Sequence, residues 1–135
     1  MAWSRLLLLM SLLVLAGCQE ALRKSSTDTW LSDYAAAIRW NEIDRALDFV
    51  DPAVRAAQPL TDLDRERFKQ VQVTGYEVKT QELAADGSLT QTVEIRLVNR
   101  NTQLERSITD RQTWRFDPVA KRLWLTSGLP DLSQR

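Results

Sequence analysis

The sequence predicts an α+β domain, with N-terminal helices packed over one face of a curved antiparallel sheet of about four strands. Three observations predict it. Apolar residues recur at helical spacing between Trp30 and Phe68, they recur every second residue from Val71 onward, and short turn signals divide the second half.

The first helix is expected to start with Ser26 or Thr27 as its N-cap and Asp28 in the first turn, where the helix dipole favours an anion. Trp30, Tyr34, Ala37 and Ile38 form its apolar stripe, and it runs to about Trp40. Asn41 can cap a second helix, whose stripe of Ile43, Ala46, Leu47 and Val50 follows the helical repeat while Glu42, Asp44, Arg45 and Asp48 surround it. Asp51-Pro52 is a third start, because proline at the first helical position gives up an N–H that has no partner there anyway. A fourth helix opens at Thr61, has Asp62 and Asp64 near its start, carries Leu63 and Phe68, and ends near Gln70.

From Val71 the period becomes two. Val71 and Val73 share one parity and Tyr76 and Val78 the other, which predicts a β-bulge at Thr74-Gly75, with glycine supplying the backbone tolerance. The second strand holds Leu89, Val93, Ile95 and Leu97, the third Leu104, Ile108, Trp114 and Phe116, and the fourth runs from Leu123 to Thr126. Turn signals at Asp86-Gly87, at Asn99 to Thr102 and from Asp117-Pro118 to Lys121 make the strands an antiparallel meander.

The third strand yields the candidate ligand-facing residues. Its apolar parity also carries Arg106, Asp110 and Gln112, while the opposite parity, Glu105 through Arg115, has no large apolar side chain. Arg106, Asp110, Gln112 and Trp114 are therefore expected on the concave side, as a ligand pocket or as a polar rim beyond the helical cover. An unpaired buried carboxylate is costly, so Asp110 should be hydrogen-bonded, with Arg106 as one candidate partner, or open to water.

The segment from Ala36 to Pro52, AAIRWNEIDRALDFVDP, together with the order of elements over residues 28–127, resembles the NTF2-like proteins. The resemblance implies a cone-shaped fold. A cystatin-like sheet wrapped on one helix is the alternative, disfavoured by several helices preceding the strands. NTF2-like enzymes commonly place an Asp/His or Tyr/Asp constellation in the cone, and the histidine half has no match here.

The N-terminus carries a different signal. Arg5 precedes an apolar run from Leu6 to Leu15, closed by Ala16 and Gly17. Such a run is about half of the roughly twenty residues that a spanning helix needs, and it reads as an export signal over residues 1–17. Leu15-Ala16-Gly17-Cys18 resembles the bacterial lipobox. That resemblance implies thioether diacylation of Cys18, cleavage before it and acylation of the new amino terminus. Gln19, where enteric inner-membrane lipoproteins carry aspartate, implies the outer membrane, facing the periplasm. Residues 18–27 read as a polar tether of about 30 Å when extended or about 17 Å as a coil, and 28–135 as one globular domain. Arg23 and Lys24 in the tether could meet lipid headgroups, but a solvated linker is the preferred reading of the pair.

Composition excludes several classes. Without residues 1–17 the chain has 17 basic and 18 acidic side chains, so it lacks the basic excess that nucleic acid requires. Cys18 is the single cysteine, which excludes an intramolecular disulfide. There is no histidine, which removes the Ser-His-Asp and Cys-His arrangements and the familiar histidine zinc sites. The four glycines, at 17, 75, 87 and 128, are isolated and form no phosphate loop. Asp62 and Asp64 could be cast as acid and base, but a helix's first turn accounts for both. No catalytic residue, metal or cofactor is expected. Trp30 belongs to a helical stripe; Trp124, opposite in parity to Leu123 and Leu125, is either a partner surface or packed by a neighbouring segment. The leading expectation is a non-catalytic envelope lipoprotein, held at the membrane through Cys18, that binds a protein partner or serves an accessory role. A small-ligand carrier using the cone interior and a histidine-free enzyme are the alternatives.

Overall fold

The structure, a computed structural model, describes residues 2–134, with side chains described for 22–134 and the exposure of Gly17. Four helices, α1 (Ala2–Arg39), α2 (Ile43–Leu47), α3 (Pro52–Ala57) and α4 (Asp62–Lys69), precede four strands, β1 (Val71–Leu83), β2 (Leu89–Asn99), β3 (Glu105–Asp117) and β4 (Arg122–Leu125). The strands form one open antiparallel sheet in the order β1-β2-β3-β4, against which the helices pack. This is the α+β meander expected from the switch in period.

The start of α1 differs from expectation. Residues 18–27, read as a tether, continue the helix, and Thr27 is buried instead of capping a terminus. A cap forms only where the preceding backbone leaves the helix; here Thr29 Oγ1 donates to the Ser25 carbonyl at 2.9 Å, so a hydroxyl is satisfied inside the helix. Tyr34, Ala35, Ala37 and Ile38 are buried against the sheet, and the small residues permit close approach.

The role of Asn41 is also corrected. It does not begin α2, whose N-cap is Glu42 with no capping side chain. It ends α1: Asn41 has φ 55°, its N–H donates to the Ile38 carbonyl, and the Glu42 N–H donates to the Ala37 carbonyl. That pair of bonds is the Schellman arrangement, in which asparagine can replace glycine in the left-handed conformation. Its side chain then links distant segments, with Nδ2 donating to the carbonyls of Phe68 at 2.9 Å and Val71 at 2.7 Å and Oδ1 accepting from the Val73 N–H.

The next two helix starts follow the sequence. Asp51 caps α3 by accepting from the Ala53 N–H at 2.9 Å, with Pro52 behind it. Thr61 and Asp64 form a reciprocal capping box at α4, and Asp62 sits in the same first turn, so the acidic pair is structural.

Register in the sheet explains the parity reversal. Val73 pairs with Leu97 and Gly75 with Arg96, so Thr74 is the extra residue and Val73 and Tyr76 share a face. A second bulge, not anticipated, lies between Val78 and Thr80. Gly75 has no positive φ, so the expectation that glycine is needed for the bulge backbone is not met. At the other edge, Asp51 N–H donates to Leu125 O and Leu125 N–H to Phe49 O, so residues 49–51 lie parallel along β4 and cover it.

The core lies between α1 and the face of the sheet that the helices cover. Leu89, Val93, Ile95 and Leu97 from β2 meet Ile108 and Trp114 from β3 and Leu123 and Leu125 from β4. Tyr34 packs edge-on against both Phe49 and Trp114. Leu104, assigned to the third strand from its parity, precedes β3 and is exposed; its carbonyl accepts from the Asn99 N–H, which makes it part of the β2–β3 turn.

Candidate functional site

The alternation of β3 places Arg106, Ile108, Asp110, Gln112, Trp114 and Phe116 on the helix-covered side, as the sequence requires. Of the four candidate residues, Asp110, Gln112 and Trp114 are brought together in the interior. Arg106 is not. Four residues along a strand correspond to about 13 Å, too far for a salt bridge with Asp110. Its guanidinium instead donates to the main-chain carbonyls of Leu132 and Gln134, holding the C-terminal segment against the sheet.

Gln112 is the hub of the cluster. Opposite it across the ladder is Gln91, whose Nε2 donates to Gln112 Oε1 at 2.7 Å. Trp114 Nε1 donates to the same oxygen at 3.2 Å, while Gln112 Nε2 donates to Asp110 Oδ2 at 2.7 Å and to the Tyr76 hydroxyl at 2.9 Å. These contacts fix both amides. Indole N–H can only donate, so it must face the Gln112 oxygen, and that oxygen must in turn receive the Gln91 amide nitrogen.

Burial governs the electrostatics. It pushes the Asp110 carboxyl up to about 6, partly offset by the hydrogen bond from Gln112. Burial likewise pushes the Tyr76 hydroxyl up to about 12, and it raises Tyr34 strongly, with the Asp110 carboxylate adding in the same direction. Asp110 is therefore an interior acid able to exchange a proton near pH 6. Among the described residues, two buried polar atoms of the same inward face, the Tyr34 hydroxyl and Gln91 Oε1, have no hydrogen-bond partner. The hydroxyl can donate and accept, whereas the amide oxygen can only accept.

Tyr34, Tyr76 and Gln91 belong to the cluster but were not among the sequence-derived candidates. Gln91 did carry a signal, since it has the parity of Leu89 and Val93 and is a polar residue on an inward face. The tyrosines carried none, because their rings serve the apolar stripes that predicted their burial. Trp124 is half-buried: its Nε1 donates to Asp117 Oδ2 at 3.2 Å, and the Arg122 guanidinium lies 3.6 Å from its ring centroid. It packs within its own hairpin, so an unencumbered partner surface is not what its parity marks. Among the described residues, no group of three or more Cys, Asp or Glu side chains is placed to hold a metal ion. Nor is any helix among them long and apolar enough to cross a membrane. The side chain of Cys18 lies outside the described residues.

No protein-family model matches the chain, and no curated protein matches it. Among solved structures it is similar to the solution structure of a SEC-C motif containing protein from Rhodopseudomonas palustris, at 18% identity and a TM-score of 0.55 over 67% of each chain. At that identity the likeness is one of fold.

Proposed function

We propose that the chain is a periplasm-facing lipoprotein, anchored through Cys18 to the outer membrane, whose NTF2-like domain acts by binding a protein partner and not by catalysis. The address comes from residues 1–17 and Leu15-Ala16-Gly17-Cys18. The observation that carries the binding role is the filling of the helix-covered face by the chain's own side chains. Trp114 and Tyr34 are fully buried there, and Gln112 places its amide among Gln91, Asp110, Tyr76 and Trp114. Partner contacts then fall to the exterior.

Crosslinking in intact envelopes, followed by purification of the lipidated chain, tests this reading. A reproducible protein neighbour that disappears when exterior residues are changed is expected; recovery of the chain alone at every crosslinker length contradicts it.

A second reading, a small-ligand carrier, is favoured by one observation: the Tyr34 hydroxyl and the Gln91 side-chain carbonyl are buried without a hydrogen-bond partner among the described residues. It requires a small molecule that copurifies with the wild-type chain and is lost from Tyr34→Phe.

A further inference from the structure

The meander puts the β1–β2 turn and the β3–β4 turn at one end of the sheet and the β2–β3 turn at the other. α1 crosses the covered face with its N-terminal part at the first of these ends. Near its C-terminus the Arg39 guanidinium donates to the Tyr76 carbonyl at 3.1 Å, whereas the Arg23 guanidinium lies 5.3 Å from the centroid of the Phe116 ring, close to the end of β3. Further along, Gly17 lines one crevice with Arg23, Lys24, Thr27, Leu83 and Ala85. Because Gly17 directly precedes Cys18, the anchoring residue is level with the β1–β2 hairpin. The helix rises only about 1.5 Å per residue, so residues 18–27 cannot give the reach of an extended tether.

That end carries what a headgroup layer accepts. Leu22, Leu83 and Val119 are exposed at 70%, 60% and 91%. Arg23, Lys24 and Lys121 supply cations beside them. Two of the nearby acids are turned into their own loops: Asp86 accepts from the Ser88 N–H, and Asp117 accepts from the N–H groups of Val119 and Ala120 and from the Trp124 indole. Glu82 pairs with Thr90 on the outer face of the ladder. The opposite end also exposes apolar residues, Trp40, Leu63 and Leu104, so exposure alone does not select a surface. The position of Gly17 does.

We propose that the end formed by the β1–β2 and β3–β4 turns rests on the bilayer that holds Cys18, with Leu22, Leu83 and Val119 inserted at headgroup level and Arg23, Lys24 and Lys121 facing anionic headgroups. The surface deepens the lipid-anchor reading, which supplies the hold on Cys18, and fixes the domain's orientation.

The full chain, extracted from membranes and reconstituted into phosphatidylethanolamine/phosphatidylglycerol vesicles, tests it with nitroxide labels on Leu83→Cys, Val119→Cys or, at the far end, Asn101→Cys. These positions are exposed, and a thioether-linked Cys18 takes no label. Accessibility to a water-soluble relaxation agent should be at least about threefold lower at 83 and 119 than at 101, as insertion of a few ångströms requires. Equal accessibility at all three overturns the proposal. The N-terminal mass of the same preparation separates the two readings. Lipidated Cys18 with equal labels leaves the anchor standing and removes the orientation. A retained residue 1–17 segment, with 83 and 119 still protected when Cys18→Ser removes the free thiol, removes lipidation and keeps the orientation. A chain that loses the segment and does not bind vesicles overturns both.

Discussion

Asp110 concentrates the energetics of the interior. Its carboxyl is held near 6 by burial, above its ordinary value of 3.8, so the folded state favours the protonated form. Stability from this group is fully present below pH about 4 and is lost as the pH rises through about 6. Asp110→Asn retains an acceptor for Gln112 Nε2 and removes the titration. It should therefore be more stable than wild type at pH 7 by roughly 1–3 kcal/mol, the gap narrowing toward pH 4. Paired urea unfolding curves across that window measure the difference directly; a constant gap would show that Asp110 does not titrate there. Asp51 and Asp64 are held below the ordinary carboxylate value, Asp51 chiefly by Arg115 and Asp64 chiefly by Thr61, so their contributions are lost as the pH falls below that range. They do not obscure the Asp110 window.

At the scale of elements, what was legible was what repeats. Alternation along β2 and β3 identified the inward faces, including the unusual Asp110 and Gln112, and Asp51-Pro52 and Thr61 through Asp64 announced two helix starts by local chemistry. Asn41 was not legible in its actual role. An asparagine between two helical stripes fits the start of one as well as the end of the other, and its links to Phe68, Val71 and Val73 span about thirty residues of sequence. Asn41→Gly preserves the left-handed backbone but removes those links, so it should lose about 1–3 kcal/mol, with Asn41→Ala losing more through added backbone strain. Denaturant midpoints for the pair separate the two contributions. The backbone demand expected at Gly75 is found instead at Gly87. A Cβ at Gly75 would meet the guanidinium of Arg96, whose long side chain can move, whereas one at Gly87 meets the Phe116 ring at 3.2 Å from a backbone with φ 88°. Gly75→Ala should change stability by less than about 0.5 kcal/mol and Gly87→Ala should cost about 1–2 kcal/mol. Thermal melts showing the opposite order would contradict the register at the first bulge.

For the whole molecule, fold class was written in the order of periods, helical before Val71 and alternating after it, while the continuity of α1 through residues 18–27 was not. Polar composition made that segment resemble a linker, yet Thr27 packs into the domain and Arg23 reaches Phe116. A lipid on Cys18 would thus be joined to the core by a short stiff helix, and three acyl chains, at about 0.8 kcal/mol per buried methylene, would make the attachment effectively permanent. Cys18→Ala should leave an exported precursor that retains residues 1–17, because lipoprotein cleavage depends on the modified cysteine. The most direct measurement is the intact mass and N-terminal fragmentation of the wild-type chain taken from membranes. A chain beginning at Cys18 and bearing a diacylglyceryl thioether and an amide-linked acyl group is the predicted result; an unmodified cysteine, or an N-terminus at any other residue, would contradict the account.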